Sequence, residues 1–255
     1  MAPLKRYQTD LHIHTVLSPC ADLDMGPRNI VSTVRRLGTG IIAIADHNST
    51  ANVPAIMECA GAGLPVVIPG IEVQTREEVH LLCLFPDLAA ADDFAAVIRK
   101  HLPPVLNRPE LFGEQVVVNG EEQILCFEEI LLAGSVEMAV EEVAREVIAR
   151  DGLLIPSHVD RPAYSLLAHL GFLPPGLAVH ALEISRPEQK ANLLAAHPAL
   201  TGITFITSSD AHFLSQLQSD YVTVLYLAEP SFAEIKLALG GLSGRKAIIE
   251  ARMPG

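Results

Sequence analysis

The sequence predicts an α/β fold built on a largely parallel sheet, and three observations carry that expectation. Short apolar runs alternate with helical patterns along most of the 255 residues, the signature of repeated βα units. Hydrophobic residues make up 49% of the chain and charged ones 19%, enough to bury a substantial core and too apolar for a disordered polymer. Ligand-type side chains sit where the apolar runs end, and in barrels of parallel strands the site gathers at the carboxyl ends.

The elements follow in order. Strands are expected at 7–14 (YQTDLHIH), 41–46 (IIAIAD), 66–72 (VVIPGIE), 79–85 (VHLLCLF), 152–157 (GLLIPS), 179–184 (VHALEI), 203–208 (ITFITS) and 221–227 (YVTVLYL). Helices are expected between them, at 27–37, 51–62, 88–100, 136–150, 187–196 and 231–240. Pro27 just inside the first helix and Gly38 just past it fit the usual start and stop asymmetry. Ser231 is a good N-cap for the last helix. One stretch breaks the rhythm. Residues 103–126 carry three prolines and then EQVVVNGEEQILCF, in which Asn119-Gly120 between two β-rich runs signals a hairpin. The expectation is an excursion over about 103–135, with the hairpin around 112–127, covering one end of the sheet. With no internal repeat and no Gly/Ser linker, residues 1–255 read as one domain.

Eighteen basic residues against 30 acidic ones give a net charge of -12. That argues against a broad grip on duplex nucleic acid and for a small phosphorylated substrate drawn to one local site. Cys20, Cys59, Cys83 and Cys126 form no C-x-x-C pair and no disulfide scaffold. No apolar run approaches the roughly 18–20 residues of a membrane span, and MAPLKRYQTD lacks a secretory core. No membrane partner and a cytoplasmic location are expected.

The histidines carry the chemistry. In Asp10-Leu11-His12-Ile13-His14, the two imidazoles are two apart in a strand and so share a face. Asp46-His47 follows the second strand, Glu72 ends the third, His80 opens the fourth, His158 follows the fifth and Asp210-Ala211-His212 the seventh. Imidazole mixed with carboxylate suits zinc, manganese or iron. Because strand neighbours face oppositely, His47 is placed on the metal, with Asp46 behind it orienting an imidazole. His101, His169, His180 and His197 stand in helical or loop text without such partners and read as ordinary polar residues. Arg161 and Arg186 follow strand ends and could aim a guanidinium at a phosphate; a solvated loop accounts equally well for Arg161 and better for Arg186.

In order along the chain, Asp10-Leu11-His12-Ile13-His14-Thr15, Ala45-Asp46-His47-Asn48-Ser49, Gly70-Ile71-Glu72, Ser157-His158 and Ser209-Asp210-Ala211-His212 resemble the motifs of the PHP (polymerase and histidinol phosphatase) family. The resemblance runs from about residue 7 to 213. It implies a distorted (β/α)7 barrel holding two or three divalent ions. His12, His14, His47, His80, His158, Asp210 and His212 match its metal ligands, and Glu72 matches the carboxylate that bridges two of them. Asp22 falls in the register of a further ligand when counted back from Pro27, with Asp24 as its rival.

The implied activity is metal-dependent hydrolysis of a phosphate ester of a small metabolite or nucleotide. A hydroxide held between the ions would attack phosphorus, Glu72, His158, Asp210 and His212 would form the catalytic set, and His158 or His212 would protonate the leaving oxygen. Two alternatives stand beside it: a nuclease acting on short single-stranded oligonucleotides, and a non-catalytic metal-binding accessory domain.

Overall fold

In the computed structural model, residues 3–252 are described. The elements in chain order are β1 (Lys5–Ile13), α1 (Pro27–Arg36), β2 (Ile41–Ile44), α2 (Val53–Ala60), β3 (Val66–Gln74), β4 (His80–Leu84), α3 (Leu88–His101), α4 (Pro109–Phe112), β5 (Val116–Val118) and β6 (Ile124–Phe127). They continue with α5 (Val140–Ala149), β7 (Leu153–Pro156), α6 (Leu166–Leu170), β8 (Leu182–Glu183), α7 (Lys190–Ala196), β9 (Phe205–Ile206), β10 (Tyr221–Leu227), α8 (Phe232–Leu239) and β11 (Lys246–Ala251). The predicted caps are present. Pro27 opens α1, Gly38 lies past its end at a φ of +69°, and the Ser231 side chain accepts from Glu234 N.

A curled seven-stranded sheet, half a barrel, has the order β11-β10-β1-β2-β3-β4-β7. Of its pairs only β1–β2 and β2–β3 are parallel; β3–β4, β4–β7, β1–β10 and β10–β11 are antiparallel. The mostly parallel sheet of the sequence reading therefore needs correcting. The β3–β4 connection is five residues (75–79), far short of the dozen or so that a parallel crossover needs, so the chain can only turn back as a hairpin. Strands β8 and β9 pair in parallel as a separate ribbon. That ribbon meets both sides of the sheet: His180 N donates to Leu154 O, Val159 N to Glu183 O and His14 N to Ala211 O.

Strand β2 is buried along its whole length, and β3 nearly so, which is why IIAI and VVIPGI are continuously apolar rather than alternating. Leu11, Ala43, Ile68, Leu82 and Ile155 fill one core cluster. Ile13, Ile42 and Ile44 pack outward against Ile30 and Val34 of α1 and Ile56 of α2. Each such side chain contributes about 1.5–3 kcal/mol. Gly70 is fixed by close approach: a Cβ there would stand 2.7 Å from Leu84 Cδ2 and 2.9 Å from Ile44 O, so the strand ending in Glu72 lies tight between its neighbours.

The hairpin forms, though not with a two-residue turn. Asn119 Oδ1 accepts from Glu121 N and Gln123 N, Asn119 N donates to Gln123 O, and Glu122 takes the left-handed conformation at φ +66°. The Asn side chain thus builds its own longer turn. The excursion is stitched to the loops that follow β1 and β2. Asn52 Nδ2 donates to Val116 O and to Thr15 Oγ1, and Asn48 Nδ2 donates to Leu132 O and Gly134 O. It walls the carboxyl ends of those strands, leaving β6 exposed. No helix among the described residues is long and apolar enough to cross a membrane.

Candidate metal centre

At the carboxyl ends of β1, β2 and β3, side chains from five other segments gather around Glu72. Period-two alternation sends His12 and His14 inward together, with their Nε2 atoms 3.2 Å apart. Glu72 Oε1 lies 3.2 Å from His12 Nε2, 3.2 Å from His80 Nδ1 and 3.6 Å from His158 Nε2. Its other oxygen, Oε2, lies 3.4 Å from His14 Nε2 and 3.3 Å from His47 Nδ1. Asp210 Oδ1 completes the near side, 3.4 and 3.3 Å from the Nε2 atoms of His12 and His14. The His212 ring stacks on His14 at 4.1 Å. Glu72 is 1% exposed and His12 and His14 are fully buried. His158 and Asp210 hold left-handed φ values of +32° and +49°, conformations uncommon for such residues and concentrated at functional sites.

A surrounding layer fixes how each imidazole presents itself. Asp46 accepts from Thr15 N, Thr15 Oγ1 and Ser18 Oγ, each at 2.7 Å. Ser18 spends its hydrogen on Asp46, so it accepts from His14 Nδ1 at 2.9 Å. Glu183 accepts from His12 Nδ1 at 3.0 Å and from His158 N at 3.1 Å. His80 Nε2 donates to Gln74 Oε1 at 3.1 Å. With hydrogen committed to those outer nitrogens, His12 Nε2, His14 Nε2 and His80 Nδ1 present lone pairs inward.

This arrangement fits divalent cations. Two lone pairs 3.2 Å apart repel unless a proton or a cation lies between them, and two carboxylate oxygens stand within 3.4 Å of the same point. Glu72 Oε1, His47 Nδ1 and His158 Nδ1 are buried without a hydrogen-bond partner, a costly state unless something else satisfies them. Three groups, His12-His14-Glu72-Asp210, His47-Glu72-His80 and His14-His47-His212, each bring their ligand atoms within 4.8 Å of one another. Glu72 belongs to two of them and His14 and His47 to two each. The mixed nitrogen and oxygen donor set suits a borderline transition metal.

Without a cation, the electrostatics show the same strain. Burial opposes charge on His12 and His14, but Glu72, Glu183 and Asp210 around the first, and Asp210 and Glu72 beside the second, raise both. His14 reaches about 9. Burial, followed by the charge of His14, drives His47 well below the ordinary imidazole value and His212 down to about 4. Burial would lift Glu72, yet His80 and His12 hold it well below the carboxylate range.

Of the residues singled out in the sequence, His12, His14, His47, Glu72, His80, His158, Asp210 and His212 lie together. Asp22 does not join them. It is exposed, and its Oδ1 accepts from Asp24 N at 2.8 Å in a local turn, while its backbone N donates to His212 O. Asp24 is exposed as well. Arg161 Nη1 contacts Asp210 Oδ2 at 2.6 Å and its Nε donates to Ser185 Oγ. Arg186 is held by Asp160, which accepts its backbone N and lies 3.7 Å from its Nε. Both arginines line a cavity of about 470 Å³ with Ser185, Ser208 and Ser209. Glu183, Ser18 and Gln74 were not anticipated. The readable signal for Glu183 was a carboxylate closing an apolar strand, the same rule that found Glu72. Glu183→Gln is expected to weaken divalent-ion affinity about 10- to 100-fold without unfolding the chain, measured by calorimetric titration of the metal-free protein. Unchanged affinity would remove Glu183 from this role.

No family model matches the chain. It is 37% identical over 94 residues to the 5′-3′ exoribonuclease Rnm of Salmonella typhimurium (strain LT2), a match covering 34% of this chain and 31% of that protein. Its fold is similar to that of the lesion-specific endonuclease PfuEndoQ of Pyrococcus furiosus, with a TM-score of 0.72 and 20% identity. That likeness covers 95% of this chain and 58% of the endonuclease. An Endonuclease Q complex with a 27-mer duplex substrate, carrying an abasic lesion at its active site, gives a TM-score of 0.71 at 20% identity and the same coverage. A protein from Bifidobacterium adolescentis assigned to the metal-dependent phosphoesterases gives 0.55 at 21% identity, over 80% of this chain and 87% of that one. The chain thus spans about a third of the exoribonuclease and little more than half of the endonuclease. By name these similar proteins are hydrolytic enzymes.

One expectation is overturned. A small phosphorylated substrate, with duplex nucleic acid excluded, was inferred from the acidic balance, whereas the similar proteins are an exoribonuclease and an endonuclease solved on duplex DNA. Net charge is a sum over the whole surface. A phosphate held by ions and an arginine at one buried cluster does not depend on that sum.

Proposed function

We propose that the chain is a metal-dependent nuclease that hydrolyses phosphodiester bonds at the Glu72 cluster. The observation that carries this reading is a single buried carboxylate within 3.6 Å of nitrogens from five histidines. The local similarity to an exoribonuclease supports the class of substrate. The ordered motifs support PHP-type ancestry. The hydrogen bond from His180 N to Leu154 O and the bridge from Ile13 to Ala211 support reading β1, β2, β3, β4, β7, β8 and β9 as one distorted seven-stranded barrel, with β10 and β11 extending its sheet, and the chain as one domain.

Bound here, two or three divalent ions (manganese, zinc or iron) would supply an acidified water and neutralise the oxygens on phosphorus. The chain's own residues do the rest. His12, His14, His47, His80, His158, Asp210 and His212 would hold the ions, and Glu72, between the two groups it shares, would set their spacing. Asp46 and Glu183 keep His14 and His12 in the tautomer that points a lone pair inward. Arg161, already on Asp210, presents its remaining donors to a phosphate oxygen at the edge of the cluster, with Arg186 farther along the same cavity. The proton for the leaving oxygen would come from whichever of His158 and His212 is not committed to an ion.

The test is product release from single-stranded RNA, single-stranded DNA, and duplex DNA with and without an abasic lesion. The protein would be loaded with manganese, zinc or iron, beside an Asp210→Ala control. Cleavage of at least one nucleic acid that disappears in the control is the expected result. Silence on every strand with every metal, in protein shown to bind ions, would defeat the reading.

A further inference from the structure

The loop between β7 and α6 carries a second aromatic feature of the site. Arg161, on Asp210, lies near its start, and Tyr164 near its end stacks on His80, with ring centroids 4.8 Å apart and planes 18° apart. Tyr164 is held in place at both backbone polar groups: its carbonyl accepts from His80 N at 2.9 Å and its N donates to His169 Nε2 at 3.1 Å. Ser165 Oγ donates to Arg161 O at 2.7 Å, tying the two ends of the loop together. Tyr164 also adopts a left-handed φ of +55°, uncommon for a bulky side chain and maintained only where surroundings impose it. For all this anchoring the side chain is not a core residue. Tyr164 is 45% exposed, and its hydroxyl has no hydrogen-bond partner among the described residues. The His169 ring lies nearly parallel to it, planes 16° apart and centroids 6.5 Å apart, wider than the 4.8 Å that separates Tyr164 from His80.

We propose that Tyr164 is a base-stacking residue that takes an unpaired nucleobase of a single-stranded substrate beside the scissile phosphate. A rigid, solvent-facing aromatic abutting His80 offers a π-surface to any base, while the Arg161 end of the same loop addresses the backbone. Sequence-tolerant binding of single strands follows, in a chain with only 5% aromatic residues and no tryptophan. The inference rests on the nuclease reading and adds the strand type and the residue that selects it.

The bland alternative is that Tyr164 merely props His80. A short single-stranded RNA and an all-abasic strand of equal length separate the two, since the backbones carry the same charge. Binding by fluorescence anisotropy and hydrolysis would be measured for wild type, Tyr164→Phe and Tyr164→Leu, with ion content determined for each. Tyr164→Leu is expected to erase about tenfold of the preference for the base-bearing strand, and Tyr164→Phe to keep it. Equal loss on both strands, or an unchanged preference in Tyr164→Leu, would overturn the proposal while leaving the nuclease reading intact. Wild-type protein that binds and cleaves neither strand would overturn the proposal, and the nuclease reading would fall with it only if single-stranded and duplex DNA were also left uncut.

Discussion

Replacing Glu72 with Ala is expected to lower kcat/KM on a cleavable nucleic acid by about 10³-fold or more, with the fold retained by circular dichroism. The side chain is 1% exposed and its two oxygens face the nitrogens of His12, His80 and His158 on one side and His14 and His47 on the other. Its removal takes the shared anion from two of the three groups that could hold an ion. Glu72→Gln, which keeps the shape and loses the charge, is expected to fail almost as badly. A Gln variant with near wild-type activity would mean that Glu72 fills space and does not hold ions.

Stripping divalent ions is the second large effect. Chelation followed by dialysis is expected to lower the thermal midpoint by about 10 °C. A ligand present at a thousand times its dissociation constant stabilises by about 4 kcal/mol, and each kcal/mol shifts the midpoint of a domain this size by roughly 2–4 °C. The physical source is local. Without a cation, the facing lone pairs of His12 and His14 and the orphaned buried atoms of Glu72, His47 and His158 have no partner. Manganese or zinc should restore the midpoint, and a midpoint indifferent to both chelator and metal would contradict the assignment.

What the sequence made legible was the local part. Period two put His12 and His14 on one face, and strand alternation put His47 inward with Asp46 behind it, where Asp46 now holds Ser18 and through it His14. Caps such as Pro27, Gly38 and Ser231 marked helix ends because their chemistry is local too. What stayed hidden depends on contacts far apart in the chain. Its place at a strand end marks Glu183 as a candidate, but its partner His12 lies 171 positions away and only the folded chain pairs them. Asp22 was placed by counting from Pro27, but the turn it forms with Asp24 sends its carboxylate to solvent. The antiparallel β3–β4 pair could have been foreseen from a five-residue connection, had length been weighed above the apolar pattern. The exclusion of duplex nucleic acid rested on a global charge used to argue about a local field, and a similar fold solved on duplex DNA removes that ground.

The most direct measurement is the number of divalent ions per chain, by elemental analysis of protein purified without chelator, beside Glu72→Ala. The account predicts at least two ions on the wild-type chain and fewer than one on the variant. A wild-type chain that takes up no ion from excess manganese, zinc or iron, or a Glu72→Ala variant that holds as many ions as wild type, would contradict it.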